Sequence, residues 1–397
     1  MVVQRIIFGL VLSFKLMTAT VIVTAMMSFT AAEAASSPES LLAPSLAPSL
    51  APSGLAFSGS FGIGYNEAWF KSNYGTGLTS AYDPEYVARV FDGIKHAGGS
   101  IVRLFLFELR QGFLFSGDTA QLKGLDPRLL KNLGEVLSLA RERGLKVYLT
   151  GLEGNEIRVA KGKIRDFYWN LLNFKYGEGD AYHQLVLAPL LDLLNANRDV
   201  IYAFDLMNEI QATVDASFYP FFSGVDLPTG WAGARNWISR TTAFIKTRSP
   251  WLKVTSSSGW GTAVFDLSLG LFSGLGLDFF DLHVYSDTGD FTGVAAVCQR
   301  ASYDKVPIIL GEFGQKSHVT DDRLQYEVTS RFLDLAQKSC FSAALAWRFD
   351  AAEKWWGFVQ PDGRLRPAAH HIQKLSLQSR QPRLRNELKA SEAPAAH

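Results

Sequence analysis

Short apolar runs alternate with longer segments in which apolar residues recur every three or four positions, from about residue 57 to residue 377. The runs are nearly continuous, which is typical of parallel strands that are covered on both faces. The longer segments have the spacing of helices that bury one face. This order predicts eight strands, each followed by a helix. The predicted strands cover residues 57–65, 100–107, 145–150, 201–209, 252–257, 277–284, 306–314 and 342–347.

Capping residues and glycines mark the ends of the first two predicted helices. Asp83 and Asp126 each precede a proline, which places an N-cap acid before a proline at the first turn. Gly98 and Gly144 follow the same two helices and end them. Further helices are predicted over residues 180–195, 233–247, a short segment after 260, the region around 298, 321–338 and 367–377.

Eight strand and helix units predict an α/β fold, a closed (β/α)8 TIM barrel, over residues 55–377. Two polar loops, over residues 151–179 and 211–230, are long for connections in a compact domain. Loops of this length are usually functional. We therefore expect both of them to form walls of a site.

The segments on either side of the barrel differ from it in composition. Residues 1–34 have a basic start, an apolar region and small residues before the end, which is the pattern of a cleaved export signal. Residues 35–54 repeat Leu-Ala-Pro-Ser and predict a linker, and residues 378–397 predict a disordered tail. We expect a secreted or periplasmic protein without a stable membrane span. An uncleaved signal would instead tether it to the membrane.

Charge and aromatic content narrow the expected ligands. The chain has 39 basic and 38 acidic residues and a formal net charge of +1, so no net field favours nucleic acid or an anionic membrane surface. Aromatic residues make up 13% of the chain, and rings at the rim of a groove could stack on sugars, although core packing accounts for most of them. We expect a monomer.

The two cysteines, Cys298 and Cys340, each lie near the end of a predicted helix, just before two successive strands. This position could bring them together at the bottom of neighbouring units. Export permits a disulfide between them. The alternative is two buried free thiols, and the sequence leaves both open.

Two predicted strands deliver an acid to one end of the barrel. Asn208 and Glu209 end the fourth strand, and Glu312 ends the seventh. Active sites of such barrels lie at the carboxyl ends of the strands, where strands four and seven face each other. Either glutamate alone would most often be a helix N-terminal residue or a surface acid. Together they suit glycosidic bond hydrolysis, in which one carboxyl group protonates the leaving oxygen and the other acts from the opposite side of the anomeric carbon.

The two carboxyl groups need unequal pKa values for this reaction. Arg103, a basic residue in the second strand, is expected to keep Glu312 ionised. An apolar or acidic surrounding would keep Glu209 protonated until it has donated its proton. The alternative for Arg103 is a structural ion pair inside the barrel.

These residues resemble the motif of the retaining clan A glycoside hydrolases, most closely the cellulase-like and β-mannanase-like family five. The resemblance spans about residues 57–377 and consists of five strand-end elements in the family's order. The elements are Arg103 at strand two, Asn208-Glu209 at strand four, His283-Val284-Tyr285 at strand six, Gly311-Glu312-Phe313-Gly314 at strand seven and Trp347 at strand eight.

The resemblance implies a role for each of these side chains. Glu209 would be the acid/base and Glu312 the nucleophile. Asn208 would hydrogen-bond the sugar 2-hydroxyl, while Tyr285 and Arg103 would hold the nucleophile. These roles describe a double displacement that uses no metal and no cofactor.

The resemblance also implies that His283 lines the site beside the acid/base and that Trp347 floors the subsite where the bond breaks. Two departures from the family pattern stand out. The family usually has a histidine near the end of strand three, where this chain offers only Glu153 or Asn155 as a substitute. The residue after the acid/base is commonly proline and here is Ile210.

Further residues near the predicted strand ends are candidates for sugar binding. Trp69 and Trp260 are expected to stack on sugar rings, and Trp355-Trp356 offers two more rings. Glu67 and Asp350 could bind sugar hydroxyls. The alternatives are core packing for the rings and salt bridges in the rim for the acids.

The sequence thus predicts an endo-β-glucanase or endo-β-mannanase acting on β-1,4-linked polysaccharide. An exo-acting β-glycosidase and a barrel that binds polysaccharide without cutting it are alternatives. A metal-dependent hydrolase could use His283, Asp281 and Glu312 as ligands, but the chain has no His-x-His after the first strand and no His-Glu-x-x-His. Residue types do not separate glucose from mannose, because these sugars differ in the placement of one hydroxyl.

Overall fold

The computed structural model describes residues 61–71, 74–117, 121–214, 229–259, 261–315, 321–350 and 356–378. The predicted signal and linker, and the tail from residue 379 onwards, lie outside these residues, as do Trp260 and Trp355. No helix within the described ranges combines the length and the hydropathy that crossing a bilayer requires.

The described residues contain ten strands, and eight of them form one parallel sheet. The remaining two, β3 and β4, form a separate antiparallel hairpin that the sequence did not predict. The strands are β1 Gly62–Asn66, β2 Ile101–Phe105, β3 Phe113–Ser116, β4 Gln121–Leu125, β5 Lys146–Glu153, β6 Ile201–Asn208, β7 Val254–Thr255, β8 Phe280–Tyr285, β9 Ile308–Gly314 and β10 Phe341–Ala346.

The sheet closes into a barrel through Ser258, just beyond β7. The strands run in the order β7-β6-β5-β2-β1-β10-β9-β8, so β7 and β8 are its two edges. Ser258 bridges to Leu282 in β8: its N–H donates to the Asp281 carbonyl at 2.9 Å, and its carbonyl accepts from the His283 N–H at 2.8 Å. The predicted (β/α)8 barrel is therefore confirmed.

Helices follow the strands in the predicted order. They are α1 Pro84–His96, α2 Pro127–Glu142, α3 Gly154–Val159, α4 Gly162–Leu172, α5 Glu178–Ala181, α6 Ala188–Ala196, α7 Trp231–Arg248, α8 Ala263–Ser268, α9 Val294–Asp304, α10 Asp322–Lys338 and α11 over residues 367–378. The segment Tyr182–Leu187 joins α5 to α6 as a π-helical stretch. The two predicted caps are present: Asp83 accepts from the Tyr86 N–H at 3.0 Å and Asp126 accepts from the Arg128 N–H at 2.8 Å.

The predicted loop over residues 151–179 is wrong. Strand β5 continues through Glu153, and α3 and α4 follow it directly. The helical signal in α4 comes from aromatic and aliphatic residues, and its buried face consists of Phe167, Tyr168, Leu171 and Leu172. A strand and two helices, and not a loop, therefore lie next to the site in this part of the chain. Of the second predicted loop, residues 211–213 belong to the 3₁₀ turn Ile210–Thr213, and residues 215–228 lie outside the described ranges.

The core has two layers. A large apolar cluster fills the space between the sheet and the helices. A smaller cluster contains Ile101, Tyr148, Ala203, Phe279, Ile309, Ala343 and Leu345. These residues alternate along their strands with those of the larger cluster, so they fill the barrel interior below the site.

Cys298 in α9 and Cys340 directly before β10 form a disulfide, with their Cα atoms 5.6 Å apart. This finding decides between the two alternatives that the sequence left open. The bridge ties two neighbouring strand and helix units together across a sequence separation of 42.

We expect loss of the disulfide to lower the free energy of unfolding by about 2–4 kcal/mol, because the unfolded chain then gains the entropy that the closed loop had removed. Urea unfolding of the native protein, the reduced protein and the Cys298→Ser/Cys340→Ser double variant measures this change. The same free energy of unfolding in all three samples would contradict it.

Candidate active site

A buried arginine organises the carboxyl-terminal end of the barrel. Arg103 in β2 is fully buried, and it donates hydrogen bonds to side chains of three other strands. The acceptors are Asn66 Oδ1 at 3.1 Å, Glu312 Oε1 at 2.5 Å, Asp205 Oδ2 at 2.8 Å and Asn208 Oδ1 at 2.9 Å. Burial alone would lower the pKa of Arg103, but the Glu312 and Asp205 carboxylates outweigh burial and raise this pKa. The guanidinium therefore stays charged.

Glu312 lies in β9 and is held from two sides. Its Oε1 accepts from Arg103, and its Oε2 accepts from the Tyr285 hydroxyl at 2.5 Å. Both contacts are those that the family resemblance implies. The preceding residue must be Gly311, because a Cβ atom there would come within 1.8 Å of Asp281 Oδ1.

Glu209 directly follows β6 and has a left-handed backbone, with φ 49° and ψ 58°. Its N–H donates to Ser257 Oγ at 3.1 Å, which fixes the turn. Its side chain is buried, and Oε2 accepts from Asn155 Nδ2 at 3.0 Å. A Cβ atom at position 259 would come within 2.2 Å of Glu209 Oε1, so Gly259 leaves room for the carboxyl group.

His283 lies between the two glutamates. Its Nδ1 is 3.2 Å from Glu209 Oε1 and 3.4 Å from Glu312 Oε1. Burial lowers the pKa of His283, but the Glu312 and Asp281 charges and the hydrogen bond to Glu209 raise it to about 10. The imidazole is therefore a cation shared by two carboxyl groups.

The pKa order of the two carboxyl groups differs from the expected one. Burial raises the pKa of Glu312, and the attraction of His283 and Arg103 offsets this rise only in part. Burial acts in the same direction on Glu209, but the hydrogen bond and charge of His283, with the Asn155 hydrogen bond, outweigh it and lower the pKa. The sequence expected Glu312 to be the ionised member. The contacts of His283 and Asn155 with Glu209 instead lower the pKa of Glu209.

The same three side chains could be considered as a metal site. Glu209, His283 and Glu312 each offer an atom, and these atoms lie within 4.8 Å of one another. A metal ligand histidine must be neutral, whereas the surrounding carboxylates favour the charged form of His283. The positive charge of Arg103 also lies against Glu312. The arrangement suits a protonated histidine better than a divalent cation.

An aromatic wall follows β1 and β10. Trp347 is half-buried, and Trp69 meets it edge to face with ring centroids 5.5 Å apart. Trp69 is 9% exposed, its Nε1–H donates to the Glu108 carboxylate, and the Arg348 guanidinium lies 4.9 Å from its ring centroid. This position behind Trp347 differs from the open stacking face that the sequence predicted for Trp69. Trp347, in contrast, is a partly open ring.

The two acids predicted at the rim, Glu67 and Asp350, contact each other. Glu67 Oε2 accepts from the Asp350 N–H at 3.0 Å, and the Tyr86 hydroxyl donates to the Asp350 carboxylate. Glu67 is fully buried. These contacts agree better with a structural role in the rim than with direct binding of sugar hydroxyls.

The sequence reasoning missed Asp205, a site residue in the middle of β6. Asp205 is fully buried, and it accepts from Arg103 and from Ser257 Oγ at 2.9 Å. One signal could have revealed it: Asp205 is the charged residue inside an apolar strand, and a buried acid requires a buried partner. Asp281 in β8 has the same signal and accepts from the Tyr148 hydroxyl.

Comparisons with known proteins agree with this geometry at the level of fold. No protein-family profile matches the sequence, and no curated protein matches it. Solved structures do match. One is an exo-β-1,4-mannosidase from Opitutaceae bacterium strain TAV5, with 16% identity, a TM-score of 0.60, and coverage of 82% of this chain and 60% of that one. The chain shares its barrel fold.

Two further structures match over more of their own length. GH5_18 from Streptomyces cattleya, solved in complex with GlcNAc, has 18% identity and a TM-score of 0.61, with 85% of this chain and 82% of that chain covered. An endo-1,4-β-mannanase from Eisenia fetida has 19% identity and a TM-score of 0.58, with 80% and 91% covered. The match to the Opitutaceae mannosidase, in contrast, covers less than two thirds of that protein.

We expect the charged His283 to make stability depend on pH. Its pKa is raised to about 10 in the folded protein, whereas it is about 6.5 in an unfolded chain. The stability that the charged ring contributes is therefore complete below about pH 6.5 and is lost as the pH rises towards 10. Urea unfolding from pH 6 to 10 should show a steeper loss for the wild type than for His283→Gln. Parallel curves for the two proteins would contradict this expectation.

Proposed function

We propose that this protein is a retaining glycoside hydrolase of family five that cleaves β-1,4-linked polysaccharide by double displacement. The observation that carries the proposal is the pair Glu209 and Glu312, whose facing carboxyl oxygens lie within 4.8 Å of each other. Carboxyl groups are about 5–5.5 Å apart in retaining enzymes and about 6.5–9.5 Å apart in inverting ones. The close pair leaves little room for a water molecule between the second carboxylate and the anomeric carbon, which favours the retaining reaction.

In the first step, a Glu312 oxygen attacks the anomeric carbon as the bond to the leaving oxygen breaks. Tyr285 and Arg103 hold Glu312 in place and stabilise it as a carboxylate. Glu209 gives its proton to the leaving oxygen. A bound sugar excludes the remaining water from Glu209, which raises the pKa of its carboxyl group and favours the protonated form that this step needs.

In the second step, Glu209 accepts a proton from the water that attacks the anomeric carbon, and the ester to Glu312 breaks. The ester carries no charge, so the negative charge of Glu312 no longer opposes ionisation of Glu209. The cation His283 still faces Glu209 at 3.2 Å. The pKa of Glu209 is therefore lower in the intermediate, and the group acts as a base.

The substrate class is inferred from the matching structures and from Trp347. The solved structures that match include a β-1,4-mannosidase and a β-1,4-mannanase, which favours a β-mannan. The β-1,4-glucan is the alternative that the family resemblance implies. Trp347 offers a half-buried ring beside the two acids for one sugar. The exo-acting mannosidase among the matching structures makes exo-action the second candidate.

The remaining parts of the proposal concern the chain outside the barrel. We infer from the composition of residues 1–34 that the protein is exported, and from residues 35–54 that a linker precedes the barrel. It would then act as a monomer on polysaccharide in the periplasm or outside the cell. A membrane tether would result if the signal stayed uncleaved.

The test is a panel of β-mannans and β-glucans with sizing of the products. We expect Glu209→Gln to lower kcat on polysaccharide by about 10²–10⁴-fold, because general acid catalysis contributes about this much. Glu312→Gln should lose at least as much, since no covalent intermediate can form. Asp334→Asn, which changes an exposed acid of α10, is the matched control and should keep wild-type rates.

The outcomes of this panel separate the candidates. Long oligosaccharides as early products support endo-action, and single sugars or disaccharides support exo-action. A wild-type protein that binds polysaccharide without cutting it would instead be the non-catalytic barrel. Wild-type rates in both glutamine variants would contradict the assigned roles.

A further inference from the structure

We propose that Glu153 and Asn155 are positioning residues for this reaction, an inference that rests on the proposed function. Glu153 ends β5, and Asn155 lies in the first turn of α3. Neither would touch the reacting atoms. Glu153 fixes the side-chain amide of Asn208 in one orientation, and Asn155 stabilises Glu209 as a carboxylate.

Glu153 is held by three hydrogen bonds. Its Oε1 accepts from the Asn155 N–H at 2.8 Å and from Asn155 Nδ2 at 2.8 Å. Its Oε2 accepts from Asn208 Nδ2 at 2.8 Å. A helix cap would explain the first contact alone, and an exposed serine or aspartate would serve that purpose. Glu153 is buried instead, and burial with the nearby Glu108 and Glu209 charges raises its pKa. A cap does not require such an unfavourable position.

Glu153 and Arg103 together determine how the Asn208 amide is turned. Asn208 Oδ1 accepts from Arg103 Nη2 at 2.9 Å, and Asn208 Nδ2 donates to Glu153 Oε2. The flipped amide would set its nitrogen against a guanidinium donor and its oxygen against a carboxylate. Only one orientation satisfies both neighbours. It keeps the second N–H of Asn208 available for the sugar 2-hydroxyl, a hydrogen bond that strengthens in the transition state.

Asn155 links Glu153 to Glu209. Its Nδ2 donates to Glu153 Oε1 at 2.8 Å and to Glu209 Oε2 at 3.0 Å. The bond to Glu209 becomes charge-assisted as Glu209 gives up its proton, so it stabilises the transition state more than the starting state. Asn155 thus stabilises the Glu209 carboxylate. This form of Glu209 is present after it has donated its proton and before it acts as a base.

The backbone between these two residues is fitted to the site. A Cβ atom at Gly154 would lie 2.5 Å from the Glu209 carbonyl oxygen and 2.7 Å from that of Asn208. Only glycine lets the start of α3 come this close to the end of β6. The close approach brings Glu153 and Asn155 within hydrogen-bonding distance of Asn208 and Glu209.

The first test is Glu153→Gln, which keeps the size of the side chain and replaces one acceptor by a donor. In either orientation of the new amide, its nitrogen faces an N–H of Asn208 or Asn155. We expect kcat to fall by about 10- to 100-fold, the effect of leaving one or two buried donors without a partner. KM should change less, because the bond from Asn208 to the sugar is strongest in the transition state.

The second test is Asn155→Ala, measured as the pH profile of kcat/KM. Loss of a hydrogen bond to the Glu209 carboxylate should raise the pKa of Glu209 by about half a unit to one unit. The pKa of Glu209 is lowered and that of Glu312 is raised, so the acidic limb of the profile follows Glu209 in the free enzyme. This limb should therefore move to higher pH by the same amount.

Glu156→Gln is the matched control for both tests. Glu156 lies in the same helix and accepts from Arg110 and from the Tyr168 hydroxyl at 3.1 Å, without contact to Asn208 or Glu209. This variant should lose thermal stability yet keep the wild-type kcat and pH profile. If Glu153 had only a structural role, Glu153→Gln and Glu156→Gln would lose the same activity for the same loss of melting temperature.

The possible outcomes are distinct. A wild-type kcat in Glu153→Gln together with an unshifted acidic limb in Asn155→Ala would overturn the positioning role while leaving the hydrolase intact. Losses in Glu153→Gln that match those in Glu156→Gln would overturn it as well. Wild-type hydrolysis that survives in Glu312→Gln would show that the proposed function itself has failed, and both proposals would fall.

Discussion

The whole site depends on one buried positive charge. A guanidinium removed from water costs several kcal/mol unless acceptors surround it, and Arg103 is fully buried at the end of β2. The barrel meets this requirement with an oxygen from β1, two from β6 and one from β9. Because the four acceptor side chains come from three different strands, the charge holds the strand ends in register. The carboxylate of Glu312 is thereby held where a sugar can reach it.

The second charge, on His283, extends the same principle. Carboxyl groups of β8, β9 and the turn after β6 surround the imidazole. The hydrogen bonds that close the barrel involve the same residue, since the His283 N–H donates to the Ser258 carbonyl. Closure of the fold and electrostatics of the site are therefore coupled. A change that moved this strand would also change the proton affinity of both glutamates.

The sequence predicted the parts of the site that depend on strand ends. The apolar runs before Glu209 and Glu312 located both acids, because a parallel barrel brings the carboxyl ends of its strands to one face. It did not predict the pKa order of the two acids. That order depends on contacts from Asn155 and His283, which are far from each other in the chain. The position of Trp69 depends in the same way on Glu108, a partner that no periodicity indicates.

The missed helices α3 and α4 have a related cause. Their polar faces weaken the apolar periodicity, and packing against the barrel decides their structure. The chain also departs in this segment from the family that it resembles. Glu153 at the end of β5 and Asn155 at the start of α3 stand where the family usually has a histidine. Local patterns are least informative where a segment is shaped by contacts with the site.

The central claim is that two facing carboxyl groups, held by two buried cations, act on one sugar by double displacement. The most direct measurement is the anomeric configuration of the first-formed product, followed by ¹H NMR before the sugar mutarotates. Our account predicts that the new reducing end first appears as the β-anomer, as in the substrate. An α-anomer as the first product would show a single displacement and would contradict the account.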